Sequence, residues 1–255
     1  MTKMKAIAII PARYSSTRFP GKPLALLGGK PIIERVYERV AQVIEDVYVA
    51  TDDQRIFDAV EAFGGNVVMT STAHKSGTDR CCEAFNKIAK TADVVINIQG
   101  DEPFIAAPQL QAILQCFDDP SADIATLVQP FQKNDSFVAL ADPNSPKVVL
   151  DNHNFALYFS RSIIPYQRNL PQAEWLTHHA YYRHVGIYAF RPAVLRALTQ
   201  LSVSSLESCE SLEQLRWLQA GYRIKVAETQ ISTIGIDTPE DLKQAEIFLT
   251  QHVNR

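Results

Sequence analysis

The sequence predicts an α/β fold: a mostly parallel, twisted sheet flanked by helices, with a β-rich insertion in the middle of the chain. Three observations predict it. The segment Ala6-Ile7-Ala8-Ile9-Ile10-Pro11 is a continuous apolar run, the mark of a strand buried on both faces. Through the first half, runs of this kind alternate with segments whose apolar residues recur at helical spacing, the pattern of successive βαβ units. Between about 130 and 190 the alternation lapses, and strand-like runs follow one another without intervening helices.

The elements follow in order. A polar loop containing Pro and Gly runs from Ala12 to about Leu24. Pro31 suits the first turn of a helix, down one face of which Ile32, Val36, Val40 and Val43 recur. Val47 to Thr51 reads as the second strand, and Gln54 to Phe63 as a helix stopped by Gly64-Gly65. Val67 to Thr70 is a third strand, Asp79 to Ala89 a helix, Asp93 to Ile98 a central strand, and Pro108 to Phe117 a helix. In the insertion, Lys147 to Leu150, Ala156 to Ser160 and Val185 to Phe190 read as strands; 142–146 and 165–171 read as Pro-containing loops. This insertion is expected to serve as a lid and dimer platform. Helical patterning resumes at Pro192 and at Ser211 to Ala220, and Arg223 to Ala227 is a strand. Pro239 to Thr250 closes the fold as a helix, with Asp237 or Thr238 at its N-cap. Residues 1–255 are expected to form one domain with the insertion inside it.

Composition narrows the partners. With 255 residues, 46% hydrophobic and 21% charged, the chain can bury a sizeable core. A net charge of -3 provides no chain-wide basic field, so nucleic acid is not expected as a partner. The first apolar run is too short for a signal peptide, and no run is long enough to span a bilayer. No membrane association is expected, and the protein is read as cytoplasmic. Cys81, Cys82, Cys116 and Cys209 form no C-x-x-C pair and read as ordinary thiols. His178 and His179 would point to opposite faces of an extended chain, which disfavours a metal cluster with His184.

In open parallel sheets ligands bind beyond the carboxyl ends of the strands. Two polar loops stand at such ends, Ala12 to Pro23 and Gln99 to Pro103. The first carries Arg13, Arg18 and Lys22, with hydroxyls and Gly21 between them. A triphosphate needs this combination of flexible backbone and several positive charges. The loop is neither G-x-x-x-x-G-K-S/T nor G-x-G-x-x-G. Three scattered cations are as often a solvated loop, but the strand-end position favours phosphate. Asp101 and Asp237, remote in sequence and each at a strand end, suit magnesium, which takes one or two protein carboxylates. Taken singly, Asp101 reads equally as a turn residue, Asp237 as a helix cap, and Ser76-Gly77-Thr78 as a cap before a helix.

Ile10-Pro11-Ala12-Arg13 through Arg18-Phe19-Pro20-Gly21-Lys22-Pro23-Leu24 resembles the signature I-P-A-R-x-x-S-x-R-x-P-G-K-P-L of the 3-deoxy-manno-octulosonate (Kdo) cytidylyltransferases. His74 to Arg80 is similar to the family's H-x-S-G-T-E/D-R loop, which holds the cytosine ring; Gly77 there lets the backbone approach closely. Asn97 to Pro103 resembles N-x-Q-G-D-E-P, and Gly235 to Leu242 resembles G-x-D-T-P-E-D-L. Leu157 to Pro165, Arg183 to Tyr188 and Leu206 to Arg216 look like the family's Y-F-S-R-x-x-I-P, R-H-x-G-I-Y and E-x-L-E-Q-L-R segments. Asp79 stands where a glutamate is common, and Ser208-Cys209 and Ser211 fall on the sugar side.

The resemblance implies a Rossmann-like nucleotide-diphospho-sugar transferase fold and a homodimer. It implies transfer of CMP from CTP to the anomeric hydroxyl of Kdo, giving CMP-Kdo and pyrophosphate, for lipopolysaccharide biosynthesis. Nucleotide-binding residues would be Pro11, Ala12, Arg13, Arg18, Lys22, Ser76, Gly77, Arg80, Gln99 and Gly100. Arg13, Lys22, Asp101 and Asp237 would be catalytic, with Mg2+ on the two aspartates. Gln99, Arg161, His184, Tyr188, Glu210 and Gln214 would meet the sugar, Arg161 or Arg13 taking its carboxylate. Tyr188 reads otherwise as a packed aromatic, and Glu213 with Arg216 as a helical ion pair. The rivals are a cytidylyltransferase for sialic acid or methylerythritol phosphate, a nucleotide-sugar glycosyltransferase, and a non-catalytic nucleotide-binding module. A glycosyltransferase would carry D-x-D where this chain reads Gln99-Gly100-Asp101-Glu102, and a non-catalytic module could dispense with Lys22 or an aspartate.

Overall fold

The computed structural model describes residues 4–232 and 234–253. They form two compact units, one running to Gln111 and resuming after Ser232, the other being Ala112–Ser232.

The first unit opens on β1 (Ala6–Ala12). A loop and the 3-10 turn Lys22–Leu24 lead to a short antiparallel hairpin, β2 (Leu26–Leu27) with β3 (Lys30–Pro31). There follow α1 (Ile32–Ala41), β4 (Asp46–Thr51), α2 (Gln54–Ala62), β5 (Val67–Met69), α3 (Gly77–Ile88) and β6 (Val94–Asn97). The sheet has the order β6-β1-β4-β5, with every neighbouring pair parallel. The chain leaves this unit through α4 (Ala107–Gln115). The apolar run that predicted a doubly buried strand is β1, lying between β4 and β6. Ile7, Ile9 and Ile10 are at most 1% exposed, and each such side chain stabilises the fold by roughly 2–3 kcal/mol.

Local chemistry sets the helix starts. Pro31 is not inside the first turn of α1: it ends β3 opposite Leu26 and serves as the N-cap. Asp53 caps α2 by accepting from Arg55 N. Ser76 Oγ accepts from Asp79 N, so α3 begins at Gly77, two residues before the expected Asp79.

The second unit contains β7 (Ile124–Pro130), α5 (Phe137–Ala141), β8 (Lys147–Leu150), β9 (Ala156–Ser160), α6 (Trp175–His178) and β10 (Tyr182–Phe190). It continues through α7 (Pro192–Leu198), α8 (Ser205–Glu210), α9 (Gln214–Gln219) and β11 (Ile224–Glu228). β10 pairs antiparallel with β7 and β8, β8 pairs antiparallel with β9, and β11 runs parallel to β7. The expected insertion, about 130 to 190, lies inside this unit. The unit is wider because β7 and β11, outside that range, complete the pairing around β10.

The helix expected over Ser211 to Ala220 is α9, which begins only at Gln214, and a separate helix, α8, precedes it. A capping box between Ser204 and Glu207 starts α8, and Ser211 in the left-handed region (φ 51°) ends it. Finally α10 (Pro239–Val253) belongs to the first unit. Thr238 Oγ1 accepts from Asp241 N at 3.2 Å, so Thr238, not Asp237, caps it. No helix among the described residues is long and apolar enough to cross a membrane.

Candidate active site

In the first unit the loop after β1 is folded back on itself. Gly21 N donates to Tyr14 O at 2.9 Å, and Gly21 takes a left-handed φ of 72°. A Cβ at Gly21 would lie 3.0 Å from the Tyr14 ring, and the Arg55 guanidinium packs 3.3 Å from the centroid of the same ring. Asp53 in turn holds Arg55. A closed loop of this kind carries Lys22 to a fixed place.

Lys22 Nζ donates to Asp101 Oδ2 at 2.6 Å and to Asp237 Oδ1 at 3.2 Å. Arg18 Nη2 lies 3.2 Å from Asp237 Oδ2. The two aspartates meet because Ile236 N donates to Asp101 O at 2.9 Å, joining segments far apart in sequence. Because Thr238 caps α10, the Asp237 carboxylate is left to the cations. Arg13 is exposed and its side chain has no hydrogen bond or ion pair among the described residues.

All ten expected nucleotide residues and both aspartates line one cleft. Gly100 closes it tightly, since a Cβ there would stand 3.0 Å from Pro11 O. Ser16, Pro23, His74 and Lys75 also line it, beyond those expected. His74 Nε2 contacts Glu83 Oε2, which also accepts from Ser71 N at 3.0 Å. Burial pushes the Glu83 carboxyl up, but Lys87, the Ser71 N–H and His74 outweigh it and bring it to about 2.

Arg80 is buried, donating through Nη1 to Thr70 Oγ1 and through Nη2 to Asp52 Oδ2, each at 2.6 Å. Asp52 escaped sequence reasoning; its one signal was its place just past the carboxyl end of β4. Glu102, beside Asp101, is raised to about 7, first by burial and then by the Asp101 charge.

The donor set suits a small hard cation. Both carboxylates already reach one positive group, Lys22 Nζ, and magnesium takes one or two carboxylates with waters and phosphate oxygens completing its shell. Among the described residues no three His, Cys, Asp or Glu side chains gather as a cage for a metal.

The second unit holds the expected sugar residues other than Gln99. Arg161 Nε donates to Glu210 O at 2.6 Å, Nη1 to Pro143 O at 2.8 Å and Nη2 to Ser211 O at 3.3 Å. Glu210 accepts from Ser160 Oγ at 2.6 Å and from Arg161 N at 2.9 Å. Beneath them the fully buried Lys147 donates from Nζ to Asp142 O at 2.9 Å and Arg161 O at 2.7 Å. Arg161 and Glu210 thus pin the 142–146 segment to the end of α8. Glu213 pairs with Arg216 at 2.8 Å.

His184 packs its ring 5.2 Å from those of Phe159 and Tyr188, and burial lowers it to about 4. Thr126 Oγ1 donates to Ile187 O at 2.7 Å and so accepts from His184 Nε2 at 2.9 Å. The neutral ring therefore keeps Nδ1 as an acceptor. Tyr188 is both the packed aromatic and a candidate ligand. Its ring sits edge-on to Trp217 at 4.9 Å, while its buried hydroxyl has no partner. Gln214 Nε2 is likewise buried and unpartnered.

The comparisons with known proteins agree with one another. A family model described as Cytidylyltransferase matches residues 7–226. The 3-deoxy-manno-octulosonate cytidylyltransferase of Phocaeicola vulgatus is 62% identical over 248 residues, covering 97% of this chain and 98% of its own. Its namesake from Escherichia coli is 46% identical over 252 residues, covering 98% of each. A solved structure of CMP:2-keto-3-deoxy-manno-octonic acid synthetase complexed with CTP superposes with a TM-score of 0.88 at 46% identity, over 97% of this chain and 99% of the other.

Proposed function

Because the chain belongs to the cytidylyltransferase family, among its Kdo-specific members, we propose that it transfers CMP from CTP to Kdo and releases pyrophosphate. One observation of the site carries the reading. A lysine bridges Asp101, in the loop after β6, and Asp237, which stands just before α10 and not at the expected strand end, at 2.6 and 3.2 Å, in a cleft that also presents Arg13 and Arg18. That is an anion site with a carboxylate pair built into it.

The reaction is an in-line displacement at the α-phosphate. The anomeric C2 oxygen of Kdo forms a bond to that phosphorus while the bond to the bridging oxygen of the β-phosphate breaks. Pyrophosphate leaves with the bonding pair, and the hydroxyl proton passes to solvent. Catalysis of this kind is positioning and electrostatics. Arg13, Arg18 and Lys22 neutralise the triphosphate, and Ser76, Gly77 and Arg80 hold the base. Asp101 and Asp237 would hold Mg2+, which, when bound, supplies further charge neutralisation for phosphate oxygens.

On the sugar, His184 Nδ1 offers an acceptor, Tyr188 a hydroxyl, Gln214 an amide donor and Gln99 both donor and acceptor. A Kdo carboxylate taking Arg161 would compete with its carbonyl partners for the guanidinium. In this proposal the enzyme works in the cytoplasm as a homodimer, as the family likeness implies.

The test is pyrophosphate release from CTP and Mg2+ with Kdo, sialic acid or no sugar. Release only with Kdo is expected, together with its abolition by a chelator. Release only with sialic acid, or none from folded protein that binds CTP, would overturn the acceptor.

A further inference from the structure

Arg80 is the most deeply buried of the cleft's cations, and a carboxylate already holds it. Its side chain is 5% exposed, against 66% for Arg18, and Arg13 has no side-chain partner among the described residues. Two strand ends fix the plane of its guanidinium. Asp52 follows Thr51, the last residue of β4, and Thr70 follows Met69, the last of β5, which pairs with Thr51. Thr70 N donates to Thr51 O at 2.8 Å, and Thr70 Oγ1 to the same carbonyl at 3.1 Å. The hydroxyl that receives Arg80 Nη1 is therefore held by the sheet, and the carboxylate that receives Nη2 belongs to the residue just past the same strand end.

A guanidinium with a carboxylate at 2.6 Å is a weak counter-ion for a polyanion. It keeps further N–H donors in a rigid fork, which suits a neutral acceptor edge. Cytosine presents O2 and N3 as adjacent acceptors. Uracil carries a proton on N3, so a fork fixed for cytosine meets a donor with a donor.

We infer that Asp52, with Thr70, is a positioning residue for base selection: it orients Arg80 so that the cleft accepts CTP and rejects UTP. The inference rests on the reading of this cleft as the CTP site. Asp52 touches neither phosphate nor sugar in this scheme and acts through Arg80.

The experiment compares wild type with Asp52→Asn and Thr70→Val. It measures kcat and KM for CTP and UTP with Kdo, calorimetric binding of CTP and of inorganic tripolyphosphate, and thermal unfolding. Asp52→Asn is expected to lower the CTP-to-UTP ratio of kcat/KM by about tenfold, through KM more than kcat. Thr70→Val lowers it in the same direction by less. Tripolyphosphate binding stays unchanged or tightens, because a freed guanidinium adds positive charge. If Asp52→Asn does not fold, Thr70→Val decides the question alone. An unchanged ratio in folded variants, or equal losses for tripolyphosphate and CTP, makes Asp52 a general support and overturns the inference alone. A wild type that binds no CTP overturns it together with the nucleotide reading.

Discussion

Lys22 Nζ stands 2.6 Å from Asp101 Oδ2, while its reach to Asp237 Oδ1 is 3.2 Å. The lysine thus holds together two carboxylates that would otherwise repel. Asp237 is half exposed, and a half-exposed ion pair contributes at most about 1 kcal/mol to folding. The pair is placed for chemistry more than for stability.

Asp101→Asn and Asp237→Asn are therefore each expected to cut turnover by about a hundredfold or more while barely moving the thermal midpoint. Steady-state pyrophosphate release and thermal unfolding check both parts. Near-normal rates in either variant would remove the carboxylate pair from the mechanism.

Gly21→Ala should weaken the same site from the backbone. A left-handed φ of 72° disfavours any side chain, and the new methyl would lie 3.0 Å from the Tyr14 ring. A cost of about 1–2 kcal/mol follows, with a raised KM for CTP as Lys22 loses its fixed position. Urea unfolding and CTP titration measure the two effects; a variant as stable and as tight-binding as wild type would show the turn to be adaptable.

Arg161→Ala removes the donors that hold Pro143 O, Glu210 O and Ser211 O. A loss of about 2–3 kcal/mol in folding is expected, since hydrogen bonds to charged groups are individually strong. Arg161→Lys should recover little of it, because an ammonium cannot span carbonyls set in a fork. Denaturant midpoints decide this. Unchanged stability with a raised KM for sugar alone would return Arg161 to the Kdo carboxylate.

His184 sets a pH dependence. Its folded value of about 4 lies below the ordinary 6.5, burial being the cause. Between these limits the unfolded chain binds the proton and the folded one does not, so stability falls as pH drops from 6.5 toward 4 and levels below. The contribution is about 3 kcal/mol. His184→Gln should flatten that part of the stability-pH curve in urea titrations. A curve of wild-type slope would assign the titration elsewhere.

Much of the first unit was legible from local pattern. The doubly buried run at Ala6 to Pro11, the Gly64-Gly65 stop and the cationic loop each report their surroundings through neighbouring residues. Less of the second unit was. β7 is not legible because Ile124 to Val128 is a short, mostly apolar run, which periodicity alone cannot separate from a buried helix segment. α8 was missed although Ser204 and Glu207 form a capping box three residues apart.

The sequence by itself, through its resemblance to the family, named residues that the fold gathers into one cleft. Its motifs are contiguous runs, so their likeness to the family's signatures is legible along the chain without the fold. Only the tertiary structure decided what the charged groups do to one another. Lys22 between Asp101 and Asp237, Asp52 behind Arg80, and Arg161 on backbone carbonyls are pairings between segments distant along the chain. Hydrophobic periodicity records which face of an element is buried. The partner of a guanidinium or a carboxylate depends on which strand end, helix end or loop the fold brings within about 3 Å of it, and no local pattern records that.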